Sequence, residues 1–257
     1  MKLGNLHTHT TFCDGKNTPE TLVFKALELG FDTIGFSGHT PLKGCDNWCM
    51  TEERAELYVK EIDRLKEKYK GWIHILCGAE QDYYSPAPKV KYDYVIGSVH
   101  CFNIADKLLP VDASGEFFKS IVDNYFGGDF LNMAKAYFEI IATVVEKTNA
   151  DIIGHFDLIT KFNKLGFFFN EDNEQYQALA KGAVDVLLKT GKPFELNTGA
   201  MARGHLDRAY PAPFLIDYIK SKGGKLILTS DCHDLRFLDY AFDKYVPFAD
   251  AMTLTDL

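Results

Sequence analysis

The stretch KLILTSDCH, Lys225 to His233, sets the reading of the whole chain. A short apolar run ends in an acid and a histidine two positions apart, Asp231 and His233. On an extended segment, side chains two apart point to the same side. Both groups therefore reach toward one point beyond the end of the strand.

Working outward, the same order recurs six more times. Lys2 to Leu6 ends in His7-Thr8-His9, with Asp14 shortly after, and TIGFS, Thr33 to Ser37, ends at His39. WIHILCGA leads to Glu80, and YDYVIGSV to His100. DIIGHF carries His155, with Asp157 close behind, and PFELNT ends at Asn197. Helical stretches separate these runs. Pro19 suits a first helical turn behind a Thr18 cap, and TLVFKALELG ends at Gly30. TEERAELYVKEIDRLKEKYKG is amphipathic, capped by Thr51 and closed by Gly71, with Arg54 where a capping box prefers Glu. Glu116 to Asn149 reads as one long helix or two shorter ones broken near Gly127-Gly128. NEQYQALAKGAVDVLLKTG, Pro211 to Gly223 and a stretch from Leu235 complete the helices. Seven strand-helix units predict a parallel sheet, closed as a TIM-like barrel or open as a doubly wound sheet. Periodicity alone leaves both open.

The 257 residues carry no low-complexity segment or linker, so one domain over residues 1–257 is expected. A formal net charge of -8 lacks the basic footprint of a nucleic-acid binder. It leaves a small anionic substrate open, because bound cations would dominate the local field. No run has the length of a membrane span, and the N-terminal MKLGNLHTHTTFCDG has no apolar signal core. The six cysteines, Cys13, Cys45, Cys49, Cys77, Cys101 and Cys232, show no disulfide spacing. A reduced, cytoplasmic protein is the expectation. Cys45 and Cys49 form a C-x3-C, read as two loop thiols in preference to a zinc or redox pair.

Six of the eight histidines fall at strand C-termini, the face on which parallel α/β folds build their sites. Crowded without partners, such groups and their carboxylates would be costly to bury. Metal ions supply the reason, since neutral imidazole and carboxylate are ligands for zinc, manganese, iron and cobalt. A single histidine at a strand end is ordinarily a hydrogen-bonded surface residue, but positions in phase with seven strands defeat coincidence. His74 lies within a strand run and reads as structural, and His205 stays open.

HTHT with Asp14, FSGHT, GAE, GSVH, GHFD and SDCH together resemble the polymerase and histidinol phosphatase (PHP) superfamily. The likeness runs from the N-terminus to residue 233. Length and the segment ELNTGAMARG resemble the monofunctional histidinol-phosphate phosphatases within it. The resemblance implies a distorted (β/α)7 barrel holding three divalent ions. By motif, His7, His9, Glu80 and Asp231 would hold one. Glu80 would bridge to a second, held also by His100 and His155. Asp14, His39 and His233 would hold the third. Many relatives have His where Asp14 stands, while related phosphatases carry Asp.

The implied reaction is hydrolysis of L-histidinol phosphate, a step of histidine biosynthesis, by a metal-activated hydroxide. His233 and Asp14 are the candidates for protonating the leaving group, a role with which ligation competes. A small phosphorylated substrate needs further cations. Arg203 is the first candidate, because guanidinium matches phosphate oxygens bidentately, and Lys161 is the second. Asp112 and Glu116 read as solvated loop carboxylates, with a substrate ammonium as their other partner. Phe167 to Phe169 read as core or lid packing. The alternatives are a phosphoesterase of the same superfamily acting on nucleotides, nucleic-acid ends or another phosphomonoester, a C–N hydrolase on a metal barrel, and a non-catalytic metal-binding protein. Glu80 in the bridging place disfavours the C–N hydrolase, which often uses a carboxylated Lys there. The ligand count disfavours the last, since structural zinc closes with four. Oligomeric state has no signal in the sequence.

Overall fold

Seven short strands pair in parallel, in chain order. The computed structural model describes residues 4–250, so Lys2 and Leu3 of the expected first run lie outside the described residues. The first units are β1 (Gly4–Asn5), α1 (Pro19–Glu28), β2 (Thr33–Phe36), α2 (Glu52–Lys68), β3 (His74–Asp82) and β4 (Tyr94–Ser98). A hairpin, β5 (Cys101–Ile104) with β6 (Lys107–Pro110), interrupts the alternation. Then follow α3 (Gly115–Tyr125), α4 (Phe130–Ile141), α5 (Val144–Thr148), β7 (Ile152–Ile153), α6 (Glu174–Leu188) and β8 (Phe194–Asn197). The chain continues with α7 (Gly199–Ala202), α8 (Pro213–Ser221), β9 (Leu226–Thr229) and α9 (Phe242–Tyr245).

The sheet order is β1-β2-β3-β4-β7-β8-β9. Its two edges meet just beyond β1 and β9. His9 N–H donates to the Cys232 carbonyl at 2.8 Å, and Cys232 N–H donates to the His7 carbonyl at 3.1 Å. This contact nearly closes the sheet into a barrel, the choice that periodicity left open. Leu6, Tyr94, Ile96, Ile152 and Ile227 form a separate small apolar cluster. The Tyr94 ring lies so close over Gly35 and Gly78 that a Cβ at either would strike it. Its hydroxyl donates to the carbonyls of Leu6 and Phe36.

Local signals explain the helices. Thr18 Oγ1 accepts the Thr21 N–H with Pro19 in the first turn, and Thr51 Oγ1 accepts the Arg54 N–H. On α2, the stripe Ala55, Tyr58, Ile62 and Leu65 is buried at helical spacing, so packing fixes which face turns inward. The segment expected as one or two helices is three, because a second break falls at Ala142–Thr143. The final helical stretch reduces to short turns and the four-residue α9. His74 opens β3 at the end away from Glu80 and is exposed. All six cysteines are free, and Cys45 and Cys49 are buried in a cluster with Leu42.

Candidate metal centre

At the C-terminal ends of β1, β3 and β9, four donor atoms crowd one point. His7 Nε2 lies 3.1 Å from His9 Nε2, 3.2 Å from Glu80 Oε2 and 3.5 Å from Asp231 Oδ1. His9 Nε2 lies 3.4 Å from Glu80 Oε2 and 3.1 Å from Asp231 Oδ1. All four residues are buried. Glu80 Oε2 has three imidazole nitrogens within 3.4 Å, yet no hydrogen-bond partner among the described residues. Buried polar atoms are normally paired, so this one calls for an explanation. A tetrahedron with bonds of roughly 2.0–2.2 Å has edges of roughly 3.3–3.6 Å, close to the spacings found. The donor set fits a divalent cation.

Glu80 turns its other oxygen to a second group. Oε1 lies 2.8 Å from His155 Nε2 and 3.2 Å from His100 Nε2. A third group gathers around Asp14. His233 Nε2 stands 3.2 Å from Asp14 Oδ2, and His39 Nε2 stands 3.8 Å from Asp14 Oδ1. His9 joins the groups, with Nδ1 3.7 Å from Asp14 Oδ1 and its ring stacked on His233 at 4.0 Å. His39 also faces Glu80, Nδ1 to Oε2 at 3.0 Å. All nine residues expected as ligands from the sequence are thus brought together.

The electrostatics follow from this crowding. Burial alone would raise the Glu80 carboxyl, but His39, His7 and His100 outweigh it and hold it well below the carboxylate range. Burial would lower His7, yet Glu195, Glu80 and Asp231 raise it well above the usual imidazole value. His9 has too little compensation, and burial with His233 and His39 pushes it down to about 3.

Two orienting carboxylates escaped the sequence reading. His7 Nδ1–H donates to Glu195 Oε1 at 2.6 Å, which leaves Nε2 free toward the centre. Glu195 Oε2 also accepts the His155 backbone N–H at 2.8 Å, so one side chain ties two strand ends. Asp82 Oδ2 accepts the His100 backbone N–H at 3.0 Å and lies 3.2 Å from His100 Nδ1. A signal existed for both. Glu195 precedes Asn197 by two and Asp82 follows Glu80 by two, each inside a buried strand where a carboxylate is out of place.

The centre floors a cavity of about 390 Å³. Arg203 and Lys161 line it, as do Trp48, Asn47, Asp112 and Leu158. Trp48 stands edge-on to His39 and His100, with ring centroids 4.8 and 5.5 Å away. Lys161 Nζ donates to the Asp112 carbonyl at 3.0 Å and to its carboxylate at 2.9 Å. Asp112 is therefore part of the cavity wall, not the solvated loop carboxylate expected, whereas Glu116 is exposed in the first turn of α3. Arg203 Nη2 donates to Asp231 Oδ2 at 2.7 Å. His205 packs on Phe162 beside the cavity. Phe168 and Phe169 pack against Phe118 and Phe130, while Phe167 is exposed.

Comparison with known proteins shows what this chain resembles. A family model described as PHP domain matches residues 5–199. A protein of Schizosaccharomyces pombe named probable histidinol-phosphatase is 28% identical, over 98% of this chain and 87% of its own. The histidinol-phosphatase of Bacillus subtilis is 26% identical, over 93% of this chain and 97% of its own. The solved histidinol phosphate phosphatase of Lactococcus lactis, complexed with zinc, L-histidinol and phosphate, superposes with a TM-score of 0.71. That structure is 21% identical and covers 96% of this chain and 92% of its own, a likeness of fold.

Proposed function

The chain belongs to the PHP domain family, and from that premise we propose that it is a metal-dependent phosphomonoesterase hydrolysing L-histidinol phosphate to L-histidinol and phosphate, a step of histidine biosynthesis. One domain over residues 1–257 carries the activity. Support comes from relatives named histidinol-phosphatase that align along nearly the whole chain.

The observation that carries the proposal is the shared carboxylate of Glu80. One oxygen faces His7 and His9, and the other faces His100 and His155. We assign His7, His9, Glu80 and Asp231 to one ion, Glu80, His100 and His155 to a second, and Asp14, His39 and His233 to a third. The donors are nitrogen and oxygen, which zinc, manganese, iron and cobalt all accept. When bound, such ions activate water at neutral pH and neutralise charge on phosphoryl oxygens.

The remaining work belongs to the chain's own residues. Glu195 and Asp82 hold His7 and His100 in orientation, so their Nε2 atoms face inward. Arg203 and Lys161 place positive charge on the cavity wall, where the phosphoryl group would sit. Asp112 holds Lys161 in place and offers the wall's carboxylate to a substrate ammonium. Asp14 and His233 were the sequence candidates for proton donor. Both His233 ring nitrogens are engaged, Nε2 near Asp14 and Nδ1 2.9 Å from the Asp231 carbonyl. We therefore keep both as holders of the third ion.

Phosphate release from L-histidinol phosphate, nucleotides and an aryl phosphate, with bound metals determined in the same sample, tests the proposal. The highest kcat/KM is expected for histidinol phosphate. A much larger kcat/KM for nucleotides would overturn the substrate assignment.

A further inference from the structure

We propose that Arg203 is a positioning residue for Asp231, fixing which carboxylate oxygen faces the metal centre, in addition to any contact with substrate. The proposal rests on Asp231 being a ligand of the first ion.

Three observations converge on the pair. The first is the division of the Asp231 carboxylate. Oδ2 accepts from Arg203 Nη2 at 2.7 Å, while Oδ1 faces His9 Nε2 at 3.1 Å, His233 Nδ1 at 3.4 Å and His7 Nε2 at 3.5 Å. A carboxylate has two equivalent oxygens, and a charge-assisted bond to one selects the other for the centre.

The second is the backbone. Asp231 has φ +48, in the left-handed region that few residues with a side chain adopt. Arg203 Nη1 donates to the Asp231 main-chain carbonyl at 3.3 Å and lies 3.0 Å from His233 Nδ1. One guanidinium therefore braces the side chain and the backbone of the same residue. It also touches the next histidine of the centre.

The third is the space in which they meet. A Cβ at Gly199 would fall 2.8 Å from Asp231 Cβ, 2.9 Å from Oδ2 and 3.0 Å from Arg203 Nη2. Gly199 opens α7, with its N–H held by Asn197 Oδ1 at 2.8 Å. The chain leaves β8 through a residue without a side chain, and Arg203, following α7, turns back over β9. The fork that would suit a phosphate is thus already committed, on one edge, to a metal ligand.

Metal binding separates positioning from substrate clamping. Apo protein prepared by chelation is titrated with Co(II), followed by its absorption spectrum, and with Zn(II) against a chromophoric chelator. The set is wild type, Arg203→Ala, Arg203→Lys, Asp231→Asn and the Arg203→Ala/Asp231→Asn pair. Loss of an outer partner of a metal ligand typically costs about 10–100-fold in metal affinity. We expect that loss in Arg203→Ala with an altered Co(II) spectrum, and an intermediate loss in Arg203→Lys. The double variant should bind no more weakly than Asp231→Asn alone, because Arg203 acts through Asp231. Wild-type metal affinity and Co(II) spectrum in Arg203→Ala, or additive losses in the double variant, would overturn the proposal. Unchanged affinity in Asp231→Asn would overturn it by removing the ligand itself. No substrate enters these titrations, so failure of the histidinol phosphate assignment shows only in the turnover assay. Should Arg203→Ala fail to fold, Arg203→Lys and its pairing with Asp231→Asn carry the same comparison.

Discussion

His7 and Glu195, 188 positions apart, meet through a 2.6 Å contact between two fully buried side chains. The bond places the ring proton on Nδ1 and leaves the Nε2 lone pair for the centre. Glu195→Gln keeps the volume but removes the charge that favours this tautomer. Zinc affinity should fall by about 10–100-fold, with Co(II) titration showing a weakened first site. Unchanged affinity would show that His7 is oriented by packing alone.

Metal binding should release protons near neutral pH. Burial opposes protonation of His7 and His100, but Glu195, Glu80 and Asp231 around one, and Glu80 and Asp82 around the other, raise both well above 6.5. Without metal these imidazoles favour the protonated form, and a ligand must lose its proton to bind. His9, pushed down to about 3, contributes none. Protons should appear on metal titration in weakly buffered solution at pH 7, and affinity should rise from pH 6 to 8. A pH-independent affinity over that range would contradict the charge assignment.

Asp157, two residues after His155, gives a stability test. It is fully buried, and burial raises its carboxyl to about 6 against the pull of Arg208. The folded state then holds a proton that the unfolded chain loses near pH 3.9. Its stabilisation is full below about pH 4 and is lost as pH rises through about 6, about 3 kcal/mol over that window. Asp157→Asn removes the titration. Denaturant midpoints should show the variant gaining on wild type by about that amount from pH 4 to 7. Parallel stability curves would mean that Asp157 titrates in the folded protein where it does in the unfolded chain.

The histidines and acids of the crowded centre, and the strand order, were legible because each sits at the end of its own strand run. His7 and His9 share a face by the two-residue period, and each strand run announces its own end. Closure of the barrel was implied by the family resemblance and not by periodicity, since it rests on a backbone pairing across the sequence, Thr8 with Cys232. The hairpin of β5 and β6 lacked an Asn-Gly signal, as its turn puts Ala105 and Asp106 at positive φ. Arg203 carried the right chemistry for phosphate, but its pairing with Asp231, 28 residues away, leaves no trace in spacing. Glu195 and Asp82 were hidden for a simpler reason: a strand read for its apolar run discounts the acid within it.

The central claim is that Glu80 joins two metal positions through its two oxygens. Bound metal per chain and phosphate release, measured together for wild type, chelated and remetallated protein and for Glu80→Gln, test it most directly. Chelation should abolish activity and metal addition restore it, while Glu80→Gln should lose both occupancy and turnover by about 100-fold or more. Full activity in the metal-free protein, or a Glu80→Gln variant with wild-type metal content and turnover, would contradict it.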